Sequence, residues 1–143
     1  MPDSLPPRAA AKRLILIADD DPAVLEVTRR MARSLGWRPL VADSAAQALE
    51  LFRERAREIE CVLVDLHMPV MSGLQMLRAI RALEPGVRFV VMTGDDDAAQ
   101  GFASEGARDC RLLLKPFLLG DLGEALDAAA PGRVSASREG GSQ

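Results

Sequence analysis

The sequence predicts an α/β fold: a doubly wound, five-stranded parallel sheet with helices on both faces. Short apolar runs begin near positions 14, 37, 61, 88 and 112, and stretches of helical periodicity separate them. Each interval is long enough for one strand and one crossover helix, and this strict alternation is typical of a parallel sheet. A chain of 143 residues fits one such domain.

The first predicted strand is the apolar run Leu14–Ala18, which suits a strand buried on both faces. Asp21 is a suitable N-cap for the helix that follows, and Pro22 occupies its first position. We expect Gly36 to end this helix, so that a second strand covers Trp37–Ala42.

A second helix is predicted after Ser44, which would form a capping box with Gln47. Its apolar face consists of Ala45, Ala48, Leu49, Phe52 and Ala56. The third strand covers Cys61–Val64. The third helix has one aliphatic face, made of Leu74, Leu77, Ile80 and Leu83. Pro85 and Gly86 are expected to end it.

The remaining part of the domain is predicted to hold two strands and two helices. The strands cover Phe89–Met92 and Leu112–Leu114. The helix between them is expected to be weak, because Gly101 in its interior costs about 1 kcal/mol relative to alanine. The final helix has an apolar face made of Leu122, Ala125, Leu126 and Ala129.

Composition excludes several classes of function for this chain. The net charge of −3 argues against nucleic acid as the main partner. No apolar run approaches the ~20 residues that cross a membrane, and no signal peptide is visible. The spacing between Cys61 and Cys110 fits neither a metal site nor a redox motif. We therefore expect a reducing, cytoplasmic environment in which both cysteines are buried among apolar residues. Segments 1–12 and 131–143 are predicted to be a disordered arm and tail around a domain at 13–130.

Polar side chains follow four of the five predicted strands. They are Asp19, Asp20 and Asp21, then Asp65, then Thr93, and finally Lys115. In parallel sheets the carboxyl ends of the strands form the binding edge, so these groups should meet there. Clustered carboxylates raise one another's pKa or bind a metal, and oxygen ligands suit Mg²⁺ or Mn²⁺. A single histidine in the chain excludes zinc sites that need two.

An ammonium and a hydroxyl beside a carboxylate–metal cluster make a site for a dianionic group. Lys115 and the metal would neutralise phosphoryl oxygens, and Thr93 would donate a further hydrogen bond. Asp65 is then a candidate nucleophile that forms an acyl phosphate.

The chain resembles the receiver (response-regulator) domain of two-component signalling. The resemblance runs from about residue 13 to 130. The matching residues are Asp19 and Asp20 in LILIADDDP, Asp65, Pro69 and Gly73 in VLVDLHMPVMSG, Thr93 in VVMTG, and Lys115 and Pro116 in LLLKPF. The resemblance implies a flavodoxin-like (βα)5 fold with strand order 2-1-3-4-5, and a cis bond before the proline.

The resemblance also implies roles for the site residues. Asp65 would take a phosphoryl group from a phosphohistidine on a sensor histidine kinase or a histidine phosphotransfer protein. Mg²⁺ would be held by Asp20, by Asp65 and by the backbone carbonyl of His67, with Asp19 assisting through water. Lys115 would hold one phosphoryl oxygen, and Thr93 would turn inward to meet another.

The implied protein is a phosphoacceptor of signal transduction rather than an enzyme, catalysing only its own phosphorylation and dephosphorylation. It is expected to be a stand-alone, cytoplasmic receiver that is a monomer or weak dimer, without nucleic-acid or membrane partners. It would signal by altered binding to an unknown downstream protein or by onward transfer in a phosphorelay. Leu112 departs from the family, which usually has an aromatic ring or histidine there.

Two alternatives give the same residues other roles. A haloacid-dehalogenase-like phosphohydrolase would use Asp19 as nucleophile and Asp21 as acid and base, but it gives Asp65 no role and requires a cap over the substrate. A pseudo-receiver would bind partners without being phosphorylated. The complete set of Asp65, Thr93 and Lys115 argues against it.

Overall fold

The computed structural model describes residues 13–95, 97, 101 and 110–128. Its strands are β1 (Arg13–Ala18), β2 (Trp37–Ala42), β3 (Ile59–Asp65), β4 (Arg88–Thr93) and β5 (Arg111–Leu114). They pair in parallel in the order β2-β1-β3-β4-β5. The described helices are α1 (Pro22–Ser34), α2 (Ala45–Glu54), α3 (Gly73–Leu83) and α4 (Leu119–Ala128). The predicted fold class and strand order are therefore confirmed.

Successive side chains of β1 point to opposite faces of the sheet, as the pleat requires. Leu14 and Leu16 enter a core with residues of α2 and α3, including Phe52 and Ile80. The alternate residues of β1 enter a second core with residues of α1 and α4; they are Ile15 and Ile17. Because both faces are covered, the strand is an uninterrupted apolar run.

The first helix begins and ends as predicted. The Asp21 carboxylate accepts hydrogen bonds from the N–H groups of Ala23 and Val24 at 2.9 and 3.4 Å. Pro22 is its first residue, and Gly36, just beyond the C-cap, has a φ of +95°. That backbone conformation favours glycine, which explains the stop.

The capping box predicted at α2 is only half formed. Ser44 Oγ accepts from the Gln47 N–H at 3.1 Å, but Gln47 Oε1 accepts from the N–H of Asp43, one residue before the cap. The complete capping box lies at α3, between Ser72 and Gln75. The same serine-to-glutamine spacing precedes the apolar run there, so the sequence held a signal that the prediction missed.

The predicted face of α3 is wrong at Leu83, which is 45% exposed. A spacing of three residues drifts by about 60° per step in a helix of 3.6 residues per turn, so four such residues cannot all face the sheet. Met76, which was not predicted, is fully buried instead. Ala56, which was predicted to lie on the apolar face of the second helix, is beyond the end of α2.

Several predictions fall on residues outside the described ranges. These are the arm at 1–12, the tail at 131–143, Ala129, and most of the helix between β4 and β5, of which Asp97 and Gly101 are described and helical. The proposed domain limits of 13–130 therefore stay a prediction. Within the described ranges, no helix is both long and apolar enough to cross a membrane.

Candidate functional site

Backbone hydrogen bonds between neighbouring strands bring the polar side chains to one edge of the sheet. The N–H of Leu66, just past β3, donates to the carbonyl of Met92 in β4 at 2.8 Å. The N–H of Lys115, just past β5, donates to the carbonyl of Thr93 at 2.8 Å. The loops that carry the predicted site residues are thus fixed to the carboxyl ends of the strands.

Three carboxylates form a cluster at this edge. Asp19, Asp20 and Asp65 each place one oxygen so that all three oxygens lie within 4.8 Å of one another. Asp19 is fully buried, Asp20 is exposed, and the Asp65 side chain is 11% exposed. Asp21 is not a member of this cluster and instead caps α1. The cluster therefore opens to solvent on the side of Asp20.

The Lys115 ammonium bridges two of these carboxylates. Its Nζ lies 3.0 Å from Oδ2 of Asp19 and 3.5 Å from Oδ2 of Asp65. Burial raises the pKa of Asp19 above its ordinary value, although hydrogen bonds from the Asp21 N–H and from Lys115 oppose this effect. Burial alone would lower the pKa of Lys115, but the two carboxylates outweigh it and raise that pKa. Lys115 is thus held as a cation.

Thr93 and His67 flank the cluster. Thr93 is fully buried, and its Oγ1 accepts a hydrogen bond from the N–H of Asp95 at 3.1 Å. The N–H of His67 donates to Oδ1 of Asp65 at 3.3 Å, while its side chain is exposed. The imidazole does not belong to the carboxylate cluster in the described part of the chain.

The loop after Asp65 depends on a close backbone approach at Gly73. A Cβ there would lie 2.9 Å from Cδ1 and 3.2 Å from Cα of Leu66. The Gly73 N–H also donates to the Leu66 carbonyl at 3.2 Å. In the same loop Val70 has a φ of +77° and a fully exposed side chain, which nothing in the sequence signalled. The bond between Lys115 and Pro116 is cis, as the resemblance implied.

A pocket of about 480 Å³ lies beside the cluster, and the sequence did not predict it. Lys115 forms one wall, which joins the pocket to the carboxylate site. The other lining residues come from α1 and from the segment after β5: Ala23, Val24, Val27, Thr28, Met31, Pro116 and Phe117. Nearly all of these side chains are apolar.

A sequence model of the response regulator receiver domain matches residues 15–127. The chain belongs to this family. This receiver domain is 30% identical over 108 residues to the two-component response regulator ORR26 of Oryza sativa subsp. japonica. That match covers 76% of this chain and 18% of ORR26. Across the first curated relatives, the matched part spans between 16% and 27% of their length.

Solved receiver structures have the same fold. A response regulator receiver domain protein from Clostridium thermocellum is 30% identical, with a TM-score of 0.74, and the match covers 82% of this receiver domain and 93% of that chain. The response regulator TrrA of Thermotoga maritima, solved in complex with Mg²⁺ and BeF, is 23% identical, with a TM-score of 0.72. That match covers 82% of this chain and 98% of TrrA.

Proposed function

We propose that this receiver domain accepts a phosphoryl group on Asp65, in the presence of Mg²⁺, from a histidine kinase or a histidine phosphotransfer protein. The observation that carries the proposal is the position of Asp65. Its carboxylate lies within 4.8 Å of two further carboxylates and 3.5 Å from the Lys115 ammonium. An attacking oxygen and the cations that stabilise a phosphoryl group would therefore meet at one point.

The donor set fits Mg²⁺. Three carboxylate oxygens within 4.8 Å of one another provide hard oxygen ligands. Mg²⁺ usually keeps several waters, and the exposed position of Asp20 leaves room for them. Asp20, Asp65 and the carbonyl of His67 would hold the ion, with Asp19 acting through water. Bound Mg²⁺ would supply positive charge that neutralises phosphoryl oxygens. TrrA, a relative by fold, was solved with Mg²⁺ and BeF.

The residues of the chain then have distinct roles. A carboxylate oxygen of Asp65 forms the new bond to phosphorus as the bond from phosphorus to the donor imidazole nitrogen breaks, and the imidazole keeps the electron pair. Lys115 moves from its carboxylate partners to a phosphoryl oxygen. The Thr93 hydroxyl, which now accepts from the Asp95 N–H, has its own proton free to donate to another phosphoryl oxygen.

Asp65 suits the role of nucleophile better than Asp19 does. Asp19 is fully buried, and both of its oxygens are occupied, one by the Asp21 N–H at 2.9 Å and one by Lys115 at 3.0 Å. The Asp65 side chain is 11% exposed, and its contacts are longer, at 3.3 and 3.5 Å. This difference weighs against the phosphohydrolase alternative, in which Asp19 would attack.

The phosphodonor would dock on the apolar pocket beside Lys115. Val27, 53% exposed on α1, and Phe117 provide an apolar surface that runs up to the lysine. A donor helix with an apolar face would cover this surface and bring its phosphohistidine to Asp65. We further propose that the protein acts in the cytoplasm and signals either through altered binding to a downstream protein or through onward phosphotransfer.

The proposal is tested by incubating the protein with acetyl phosphate or phosphoramidate and Mg²⁺, followed by intact mass measurement. We expect a mass gain of one phosphoryl group that disappears in Asp65→Asn and persists in Asp127→Asn, a matched change at an exposed position of α4. No gain under any condition would favour the pseudo-receiver and overturn the proposal. Steady turnover of phosphate monoesters would instead favour the phosphohydrolase.

A further inference from the structure

Arginines gather at the amino ends of three strands of this molecule, opposite the acidic cluster. The acidic cluster lies at the carboxyl ends of the strands. At the opposite ends, three strands begin with arginine, namely Arg13, Arg88 and Arg111. We call this the basic end of the sheet, although Glu58 and Glu60 also lie there, at the start of β3.

A pocket of about 250 Å³ opens at this basic end, beside the edge strand β2. Its apolar lining residues are Leu14, Trp37, Pro39 and Leu40. Its charged lining residues are three arginines: Arg29 and Arg33 from α1, and Arg38 from β2. Guanidinium groups are planar donors that match the oxygens of phosphate and carboxylate groups.

The carboxylates near this pocket neutralise its positive charge only in part. Glu26 is shared, since it accepts two hydrogen bonds from Arg29, at 2.7 and 3.0 Å, and one from Arg30, at 2.8 Å. Glu58 pairs with Arg55 at 2.8 Å, and the more distant charge of Arg38 also helps to lower the pKa of Glu58. In the described chain, Arg33 and Arg38 have no ion-pair partner within 4.0 Å. Two unpaired guanidiniums and a third that Glu26 holds in place therefore line one small pocket.

A partner strand is a poor occupant of this edge. The carbonyl of Ala42 accepts from the Asp19 N–H, so the backbone groups of Ala42 face β1. Because backbone groups alternate along a strand, those of Pro39 face the open edge of β2. Proline has no N–H to donate to an added strand, and this is the position where a sheet edge tolerates it.

We propose that this pocket, lined by Arg29, Arg33 and Arg38 together with Trp37 and Leu40, binds a phosphate-bearing small molecule. Arg33 and Arg38, together with the donors of Arg29 that Glu26 does not occupy, supply hydrogen bonds for a phosphate or diphosphate group. The volume of about 250 Å³ suits a small ligand rather than a macromolecular segment. The ligand could be an inorganic polyphosphate or a nucleotide, since both present the same phosphate oxygens.

This site is separate from the proposed phosphoacceptor. Leu14, which lines the pocket, is five residues before Asp19, which directly follows β1, and this places the two sites about 16 Å apart at ~3.3 Å per strand residue. The inference does not rest on phosphorylation of Asp65, so the two proposals can fail independently.

The only tryptophan of the chain lines the pocket, and there is no tyrosine, so fluorescence reports on this position alone. The full chain is titrated with pyrophosphate and, separately, with adenosine monophosphate. EDTA is present throughout, so that the acidic end repels both anions. We expect a saturable change in Trp37 fluorescence with one ligand per chain for at least one probe. The probe that saturates at lower concentration identifies the source of the phosphate.

The site is then tested with a double variant, Arg33→Gln with Arg38→Gln, which should weaken binding at least tenfold. The matched control is Arg53→Gln with Arg57→Gln, which removes the same charge at exposed positions outside the pocket and should bind as wild type does. Circular dichroism spectra and thermal melts of both variants, compared with those of the wild type, report whether they are folded. Failure of both probes to saturate, or equal weakening in the two double variants, would overturn the proposal.

Discussion

The ammonium of Lys115 lies closer to Asp19 than to Asp65, at 3.0 Å against 3.5 Å. Asp19 is fully buried, so its carboxylate needs a nearby cation to stay charged. Lys115 therefore compensates a buried carboxylate, and in the proposed reaction it would then move towards a phosphoryl oxygen. Its longer contact to Asp65 agrees with the proposed role of that carboxylate as the nucleophile.

Lys115→Met removes this cation and leaves Asp19 buried without its ion pair. We expect the free energy of unfolding at neutral pH to fall by about 1–3 kcal/mol. We also expect phosphorylation by acetyl phosphate to slow at least about tenfold, which corresponds to ~1.4 kcal/mol of transition-state stabilisation. Urea denaturation and a mass-based time course measure the two effects.

The control for this prediction is Lys115→Arg, which keeps the charge but changes its geometry. It should recover more of the stability than of the phosphorylation rate. A second control, Arg78→Met on the exposed side of α3, should leave both quantities unchanged. Equal phosphorylation rates in the wild type and Lys115→Met would contradict the assigned role.

Mg²⁺ is expected to stabilise the folded chain, because the carboxylate cluster is assembled only in the native state. At a concentration of 100 times the dissociation constant, the gain is about 2.7 kcal/mol. Asp20→Asn should lose most of this gain, although in EDTA it should be at least as stable as the wild type, since one of three neighbouring negative charges is gone. Thermal melts with and without Mg²⁺ measure both effects. An undiminished Mg²⁺ shift in Asp20→Asn would refute the assignment.

The sequence predicted the members of the site because each strand is a recognisable apolar run and the sheet is parallel. Once β1, β3 and β5 are located, Asp19, Asp65 and Lys115 must meet at their carboxyl ends. The preference of Lys115 for Asp19 could not be predicted in this way. It depends on side-chain burial and on distances that no linear spacing encodes.

The two pockets were not predictable for a related reason. The basic pocket combines Leu14, Arg29 and Arg38, which come from three different elements. These three residues come close together only after α1, β1 and β2 have packed against one another. Local features were predictable where one residue type decides them, as at Gly36. They were missed where two competing hydrogen bonds decide the outcome, as at Gln47.

Glu26 is expected to titrate far below an ordinary glutamate. Hydrogen bonds from Arg29 and then from Arg30 lower its pKa from 4.5 to about 2. Because the pKa is depressed in the folded state, the stabilising contribution is complete above pH 4.5 and is lost as the pH falls through 2. Glu26→Gln should therefore be less stable than the wild type at pH 7, and this difference should shrink steadily as the pH is lowered from 4.5 to 2.

Carbon-detected NMR titration of the Glu26 carboxyl measures this pKa directly. Arg29→Gln should shift the midpoint back towards 4.5 more than Arg30→Gln does, since Arg29 is the larger cause. A midpoint near 4.5 in the wild type would mean that Glu26 does not hold Arg29 in solution. In that case Arg29, which lines the basic pocket, would be less fixed in position than it is in the structure.

The two cysteines are expected to react very differently. Cys61 is fully buried in β3, and burial raises the pKa of its thiol to about 12. Cys110 is half-buried just before β5, so the sequence-based expectation of a buried cysteine holds only for Cys61. Iodoacetamide at pH 8 should modify Cys110 and spare Cys61, because the thiolate is the reactive form. A Cys110→Ser variant should therefore stay unmodified until denaturant is added, as followed by intact mass. Rapid native labelling of that variant would contradict the buried position.

Val70 is expected to destabilise the loop in which it lies. Its φ of +77° is a conformation that costs an L-residue about 1–2 kcal/mol, more so for a β-branched one. Its side chain is fully exposed, so no buried contact compensates. Val70→Gly should raise the free energy of unfolding by about 1 kcal/mol, after allowing for the greater chain entropy of glycine in the unfolded state. Val70→Ala is the matched control, since it keeps the Cβ and removes no packing, and it should gain much less in urea denaturation. A glycine variant less stable than the alanine variant would show that Val70 does not hold a positive φ in solution.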